Sequence, residues 1–297
     1  MPSSSRCLVA GRQLMKRFEI GLAVCVAVSL AGLTACENIS SLSLDPLNAN
    51  GRTGSAPVVS YDAVMHIAAA SRSSGDFSNA VNLYRHAATM EPQKPEPLVA
   101  LGGTLLDMGQ VDEAIVNYNA ALKFNAQDPD ALRGLAQAYL KSGRPELADA
   151  ALAIAYQSTP NDPKLLLLMG IAADYAGQQE EAQARYQTAL TLAPGDRVLS
   201  LDLALSFALS AKFDQSIALL KPIAARTGSS AAERETLALI YGLKGDQAAA
   251  RKLAAIDLDA AAVDHNLAFY ESLRRLPPRE RARAILSASP VGRSQPL

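Results

Sequence analysis

Tryptophan is absent from this chain of 297 residues, and aromatic residues of all kinds make up only 5% of it. Strand-rich cores lean on aromatic and β-branched side chains, so a β-sandwich or barrel fits poorly. Cysteine is nearly absent as well: Cys7, Cys25 and Cys36 all lie near the start. The rest of the chain therefore has no thiol for a disulfide or a thiolate metal site, and packing alone must hold it. The three histidines, His66, His86 and His265, are not at metal-ligand spacing. GxxxxGK[ST], HExxH, GxSxG and GxGxxG are all missing, so no catalytic residue is assigned and no cofactor or small-molecule substrate is expected. Charge of either sign is not in excess: the formal net charge is -1, and no basic stripe offers itself to nucleic acid.

What the chain has is alanine, leucine and a period. It is 49% hydrophobic. Gly75, Gly109, Gly143, Gly177, Ala211 and Gly245 recur every 34 residues. With repeats starting at residues 61, 95, 129, 163, 197 and 231, position 8 is always small (Ala68, Gly102, Ala136, Gly170, Ala204, Ala238). Position 20 is small too (Ala80, Ala114, Ala148, Ala182, Ser216, Ala250). Small residues at both places let the two helices of a hairpin approach closely. The glycines at position 15 end the first helix through a left-handed residue, and Ala211 is the costlier exception. Asp128-Pro129 and Asp162-Pro163 read as helix starts, with Asp as the cap and Pro in the first turn. Pro222 and Asp257 loosen the second helices of the last two repeats. Residues 265–273 read as a closing helix over the last repeat, ended by Pro277-Pro278, and the Arg-rich segment 279–286 as one further short helix.

A 34-residue helical hairpin resembles the tetratricopeptide repeat. The expected fold is all-α: a right-handed α-solenoid of about six such repeats over residues 61–264, with a capping helix and a disordered tail over residues 265–297. Arrays of this kind hold other proteins.

The first 35 residues read as a leader. Lys16-Arg17, an apolar stretch over residues 20–31 and Leu33-Thr34-Ala35 before Cys36 make the charged, apolar and small-residue regions of a secretory signal. The apolar stretch is too short for an ordinary transmembrane helix. Residues 1–14 lack leader features, which makes Met15 a second candidate start. The leader carries Arg6, Arg12, Lys16 and Arg17 against Glu19 alone, so the remainder keeps 24 of the 28 basic and 28 of the 29 acidic residues. Leu33 to Cys36 resembles the bacterial lipobox. That resemblance implies acylation of Cys36 and a lipid-anchored protein, and Glu37 in place of Asp implies the periplasmic face of the outer membrane. A cleaved, soluble periplasmic protein with an incidental cysteine is the plainer alternative. Residues 36–60 are rich in Ser, Asn, Gly and Pro and read as a flexible tether.

Binding chemistry is expected on the concave face, which the first helix of each repeat lines through positions 2, 5, 9, 12 and 13. In the earlier repeats this surface is mixed: Val99, Leu106, Arg133, Gln137 and Lys141. In the later repeats it is apolar: Leu167, Ile171, Tyr175, Leu201, Leu205, Leu209 and Leu239. These residues are the candidate partner-binding groove, with Ile171 and Leu205 assigned to face a partner. The Lys and Asn set with which some arrays grip a C-terminal carboxylate is not present. An amphipathic helix or an extended apolar segment is the expected occupant.

A narrower likeness is carried by residues 201–209 (LDLALSFAL), 213–220 (FDQSIALL), 237–246 (LALIYGLKGD), 249–254 (AARKLA) and 266–270 (NLAFY). These segments resemble the TadD family, the tetratricopeptide lipoproteins of tight-adherence (Flp) pilus assembly. The resemblance implies a non-enzymatic scaffold that assists assembly or localisation of the Tad secretin, with that secretin or other pilus components as partners. It assigns no residue-level site. A pilotin of type IV pili, an outer-membrane assembly lipoprotein and a regulator of periplasmic cell-wall enzymes stay open beside it.

Overall fold

The computed structural model describes residues 59–288. The leader, Cys36, most of the tether and residues 289–297 lie outside them. The described residues are helical throughout, without a strand, and none of their helices is long and apolar enough to cross a membrane.

Twelve helices pair into six hairpins. They are α1 (Tyr61–Ser73) with α2 (Phe77–Met90), α3 (Glu96–Asp107) with α4 (Val111–Leu122), and α5 (Pro129–Lys141) with α6 (Pro145–Ser158). The array continues with α7 (Pro163–Ala176) and α8 (Gln179–Leu192), α9 (Arg197–Leu209) and α10 (Phe213–Ala224), and α11 (Ala231–Lys244) and α12 (Gln247–Ala254). The odd-numbered helices through α11 are the first of each pair, and from α3 to α11 consecutive first helices also touch, where their shared face forms. Two further helices follow, α13 (Ala260–Arg275) and α14 (Pro278–Ala288).

Local chemistry sets these boundaries. Asp128, Asp162 and Asp196 accept backbone N–H bonds in the first turns of α5, α7 and α9, and Ser230 with Glu233 makes a reciprocal capping box on α11. Every turn inside a hairpin passes through a left-handed residue at the repeated position, from Gly75 at φ +83° to Gly245 at φ +96°. Ala211 adopts the same conformation at φ +60° and is the one non-glycine among the described residues to do so. Pro222 sits inside α10, and α12 is only eight residues long, as the weaker pattern of those repeats implied. The closing helix begins at Ala260, capped by Asp259, before the span read from sequence.

In the first five hairpins, close approach depends on one large residue from the second helix. Tyr84, Tyr118, Leu152, Tyr186 and Leu220 recur at the 34-residue spacing and are all buried. Opposite Tyr118 and Tyr186, position 8 is glycine. A Cβ on Gly102 would lie 2.9 Å from the Tyr118 ring, and one on Gly170 would lie 2.4 Å from the Tyr186 ring. Gly134 of the following repeat is tighter still, at 2.3 Å from Tyr118. Ring and glycine interlock, so hairpin and neighbour are fixed by one contact.

Ala211 supplies a direct test of the turn. A Cβ in the left-handed region costs about 1–2 kcal/mol, part of which glycine returns through unfolded-chain entropy. Ala211→Gly should therefore stabilise the array by about 0.5–1 kcal/mol and raise its thermal midpoint. A lower midpoint would show that the turn is not strained.

Candidate functional site

The face shared by α1, α3, α5 and α7 is open. Its centre is a cavity of about 450 Å³. Met65, Val99, Leu106 and Leu168 give it an apolar floor, while Arg72, Glu96, Asp107, Asp130, Arg133, Gln137 and Lys164 line its polar walls. Of the residues expected in the groove, Val99, Leu106, Arg133 and Gln137 are brought together here.

Both arginines on the walls are ion-paired across repeats. Arg72 Nε donates to Asp107 Oδ2 at 2.8 Å, bridging the first two repeats. Gly103 makes room for it, because a Cβ there would lie 3.0 Å from the guanidinium nitrogens. Arg133 donates to both Asp130 and Asp162. Lys141 Nζ lies behind the cavity and donates to the Leu106 carbonyl at 3.2 Å. Burial lowers the Lys141 pKa, and nearby Asp107 opposes that shift.

The later half of the face differs from expectation. Leu205 is 2% exposed, Leu167 5% and Leu201 6%, so none of these three offers an open surface. The assignment of Leu205 to a free partner-facing position is therefore corrected. Leu167 packs with Tyr186, Leu199 and Leu203, and Leu201 and Leu205 share a cluster with Leu220 of α10 and Leu237 and Ile240 of α11, to which α14, folded back onto α7 and α9 of the fourth and fifth repeats, adds Ile285. Ile171, Tyr175, Leu209 and Leu239 remain half-buried, each packed against the core. Burial raises the Tyr175 pKa, and the Arg283 charge of α14 opposes it.

Behind this covered surface lies a polar cluster that sequence reading passed over. Asp174 is 1% exposed and accepts from Tyr186 Oη at 3.0 Å and from Ser206 Oγ at 2.7 Å. Burial outweighs those bonds and pushes its pKa up to about 7. Asp202 is 3% exposed, its Oδ2 has no hydrogen-bond partner, and burial followed by the Asp174 charge raises its pKa well above the carboxylate range. The available signal was an acidic residue inside otherwise apolar stretches of α7 and α9. No set of His, Cys, Asp and Glu among the described residues could hold a metal ion.

Comparison with known proteins agrees with this geometry. A family model described as a tetratricopeptide repeat matches residues 71–116, and one described as a TPR repeat matches residues 104–143. No curated protein sequence matches the chain. Among solved structures, a tetratricopeptide repeat protein from Parabacteroides merdae is 15% identical, with a TM-score of 0.59 over 73% of this chain and 86% of that one. PilF of Pseudomonas aeruginosa is 17% identical, with a TM-score of 0.55 over 65% of this chain and 88% of that one. A chain of the APC/C hetero-tetramer Cut9–Hcn1 is 19% identical, with a TM-score of 0.62 over 71% of this chain and 42% of that one. The fold is an α-solenoid of tetratricopeptide repeats, an architecture that generally serves as a protein-interaction scaffold rather than an enzyme.

Two measurements follow from the burial pattern. Leu205→Ala should cost about 2–5 kcal/mol, the loss for a truncated core leucine, and an unchanged melt would return Leu205 to the surface. The buried carboxylates set a pH dependence. A carboxyl whose folded pKa lies above its unfolded value keeps its proton longer when folded, so its stability is complete below about pH 4 and lost as pH rises towards about 7. Asp174→Asn should flatten that decline, which is on the order of a few kcal/mol. A wild-type midpoint that rises steadily from pH 4.5 to 7 would contradict it.

Proposed function

We propose that this chain is an outer-membrane lipoprotein, acylated at Cys36, whose array holds a segment of the Tad secretin or of another Flp pilus-assembly component. The observation that carries the scaffold reading is the open cavity on the face of α1, α3, α5 and α7. Its apolar floor suits one or two apolar side chains of an inserted segment, and its ion-paired walls suit the polar groups beside them. With both rim arginines already paired to Asp107, Asp130 and Asp162, an acidic ligand gains little from them, so shape and apolar contact contribute most to selecting the segment.

The narrower assignment draws its support from sequence. The lipobox-like Leu33-Thr34-Ala35-Cys36 supports the anchor, and Glu37 supports the outer membrane. The end-of-array segments over residues 201–254 and 266–270 support tight-adherence pilus assembly.

Val99→Glu and Gln137→Trp test the groove, because both side chains line the cavity and are only partly buried. Each variant should keep wild-type helicity while losing secretin multimers and surface pili. Normal multimers in folded variants would remove the secretin from the proposal. Cys36→Ser should abolish palmitate labelling and release the protein from the outer membrane, and a variant that stays there and still takes label would remove the anchor.

A further inference from the structure

The last described helix sits where a ligand would. α14 follows α13 after Leu276 and Pro277, and it packs on α7 and α9. Ala282, Ile285 and Leu286 form one stripe at i, i+3 and i+4, and all three are buried. Ile285 joins the buried cluster that holds Leu201 and Leu205. Arg279 and Arg283 flank the stripe, and the opposite face, with Glu280 and Ser287, is exposed. Two of those arginines mark the seat: Arg283 acts on Tyr175, and Arg279 Nε lies 3.7 Å from where a Gly177 Cβ would be. Both lie at the C-terminal end of α7, where the helix carbonyls favour a cation.

This arrangement has the parts of helix-in-groove recognition, a short amphipathic helix laid across first helices that elsewhere in the array bear an open cavity. α7 belongs to both regions. Lys164 and Leu168 line the open cavity, while Tyr175 and Gly177 lie beside α14. The covered seat is therefore continuous with the open groove. At 11 residues, α14 is also shorter than the roughly 12–15 that an isolated helix needs in water, so its helicity depends on remaining docked.

We infer that α14 is a ligand held in cis, which closes the later half of the groove until an amphipathic helix of the same chemistry displaces it. That chemistry is a small and branched apolar stripe at i, i+3 and i+4 with arginine or lysine beside it. Displacement lengthens the usable groove from the first four repeats into the fifth. This inference rests on the groove being the binding surface, but it requires no secretin and no membrane anchor.

The test uses the full chain and a fluorescent peptide of residues 277–288 as the probe. Wild type should bind it weakly, and an Ile285→Asp/Leu286→Asp variant about tenfold or more tightly, the gain expected when the wild-type seat is open for about a tenth of the time. A variant that keeps its helicity yet binds the peptide no better than wild type would overturn the inference. Native-state hydrogen exchange on wild type gives an independent answer should the variant misfold. Amides of α14 should exchange well ahead of those in α9 and α13. Exchange of all three as one cooperative unit would overturn the inference and make α14 a fixed part of the core. A secretin that fails to bind wild type leaves both of these results standing, so the two readings fail separately.

Discussion

The first five helix pairs each depend on two backbones coming close enough for one large side chain to fill the gap between them. Where that side chain is Tyr118 or Tyr186, the facing residue has no Cβ at all, and an added one would overlap the ring. Interiors at crystal-like density leave no slack for such an overlap. The hairpin angle is therefore fixed by the glycine and ring pair, and stacking repeats the angle along the chain. With that angle set, the first helices must share one face. The groove is a by-product of core packing, which is why its position was predictable while its contents were not.

The two halves of that face solve different problems. In the early repeats the inward positions carry Arg72, Asp107, Arg133 and Gln137, which tolerate water, so the face can stay open. Leu201 and Leu205 cannot. Leaving a leucine exposed forgoes about 1.5–3 kcal/mol that burial would return. The later half thus needs a cover, and α14 provides one from the same chain. Its fellow terminal helix α13 works differently, lodging Tyr270 against Gly242 at the end of the stack, where a Cβ would lie 2.4 Å from the ring atoms. Capping the last repeat and covering the inner face are separate tasks done by consecutive helices.

The legible parts of this chain were those that repeat. The six turn positions, the small residues at positions 8 and 20, and the aspartate caps follow from short-range rules that act identically in each copy, and Ala211 was readable as the costly turn because five glycines surround it. The groove residues were half legible. A 34-residue register identifies which side of a helix faces inward, as Val99, Arg133 and Gln137 show, but not whether another segment covers it. Leu205 was placed on an open surface because its register position does not tell which segments pack over it: its cluster takes Leu220 from its own repeat and Leu237 and Ile240 from the next. A further member, Ile285, lies 80 positions away and outside the repeat. Asp174 and Asp202 escaped for a related reason: an acid in an apolar helix looks exposed until the neighbouring repeat closes over it.

Those acids also bear on how firmly the repeats hold together. Half-exposed pairs such as Arg72 with Asp107 contribute little net energy, though their placement between neighbours penalises a shifted register. Asp202 goes further, since an unpartnered buried oxygen destabilises the repeat 4 and 5 junction instead of supporting it. α14 spans that same junction by touching α7 and α9 together. α14 therefore sits where an unpartnered carboxylate oxygen costs the packing, so the helix that covers the inner face also holds repeats 4 and 5 together. A segment that displaced α14 from α7 and α9 would remove that second hold, so opening the later half of the groove and loosening this junction are one event.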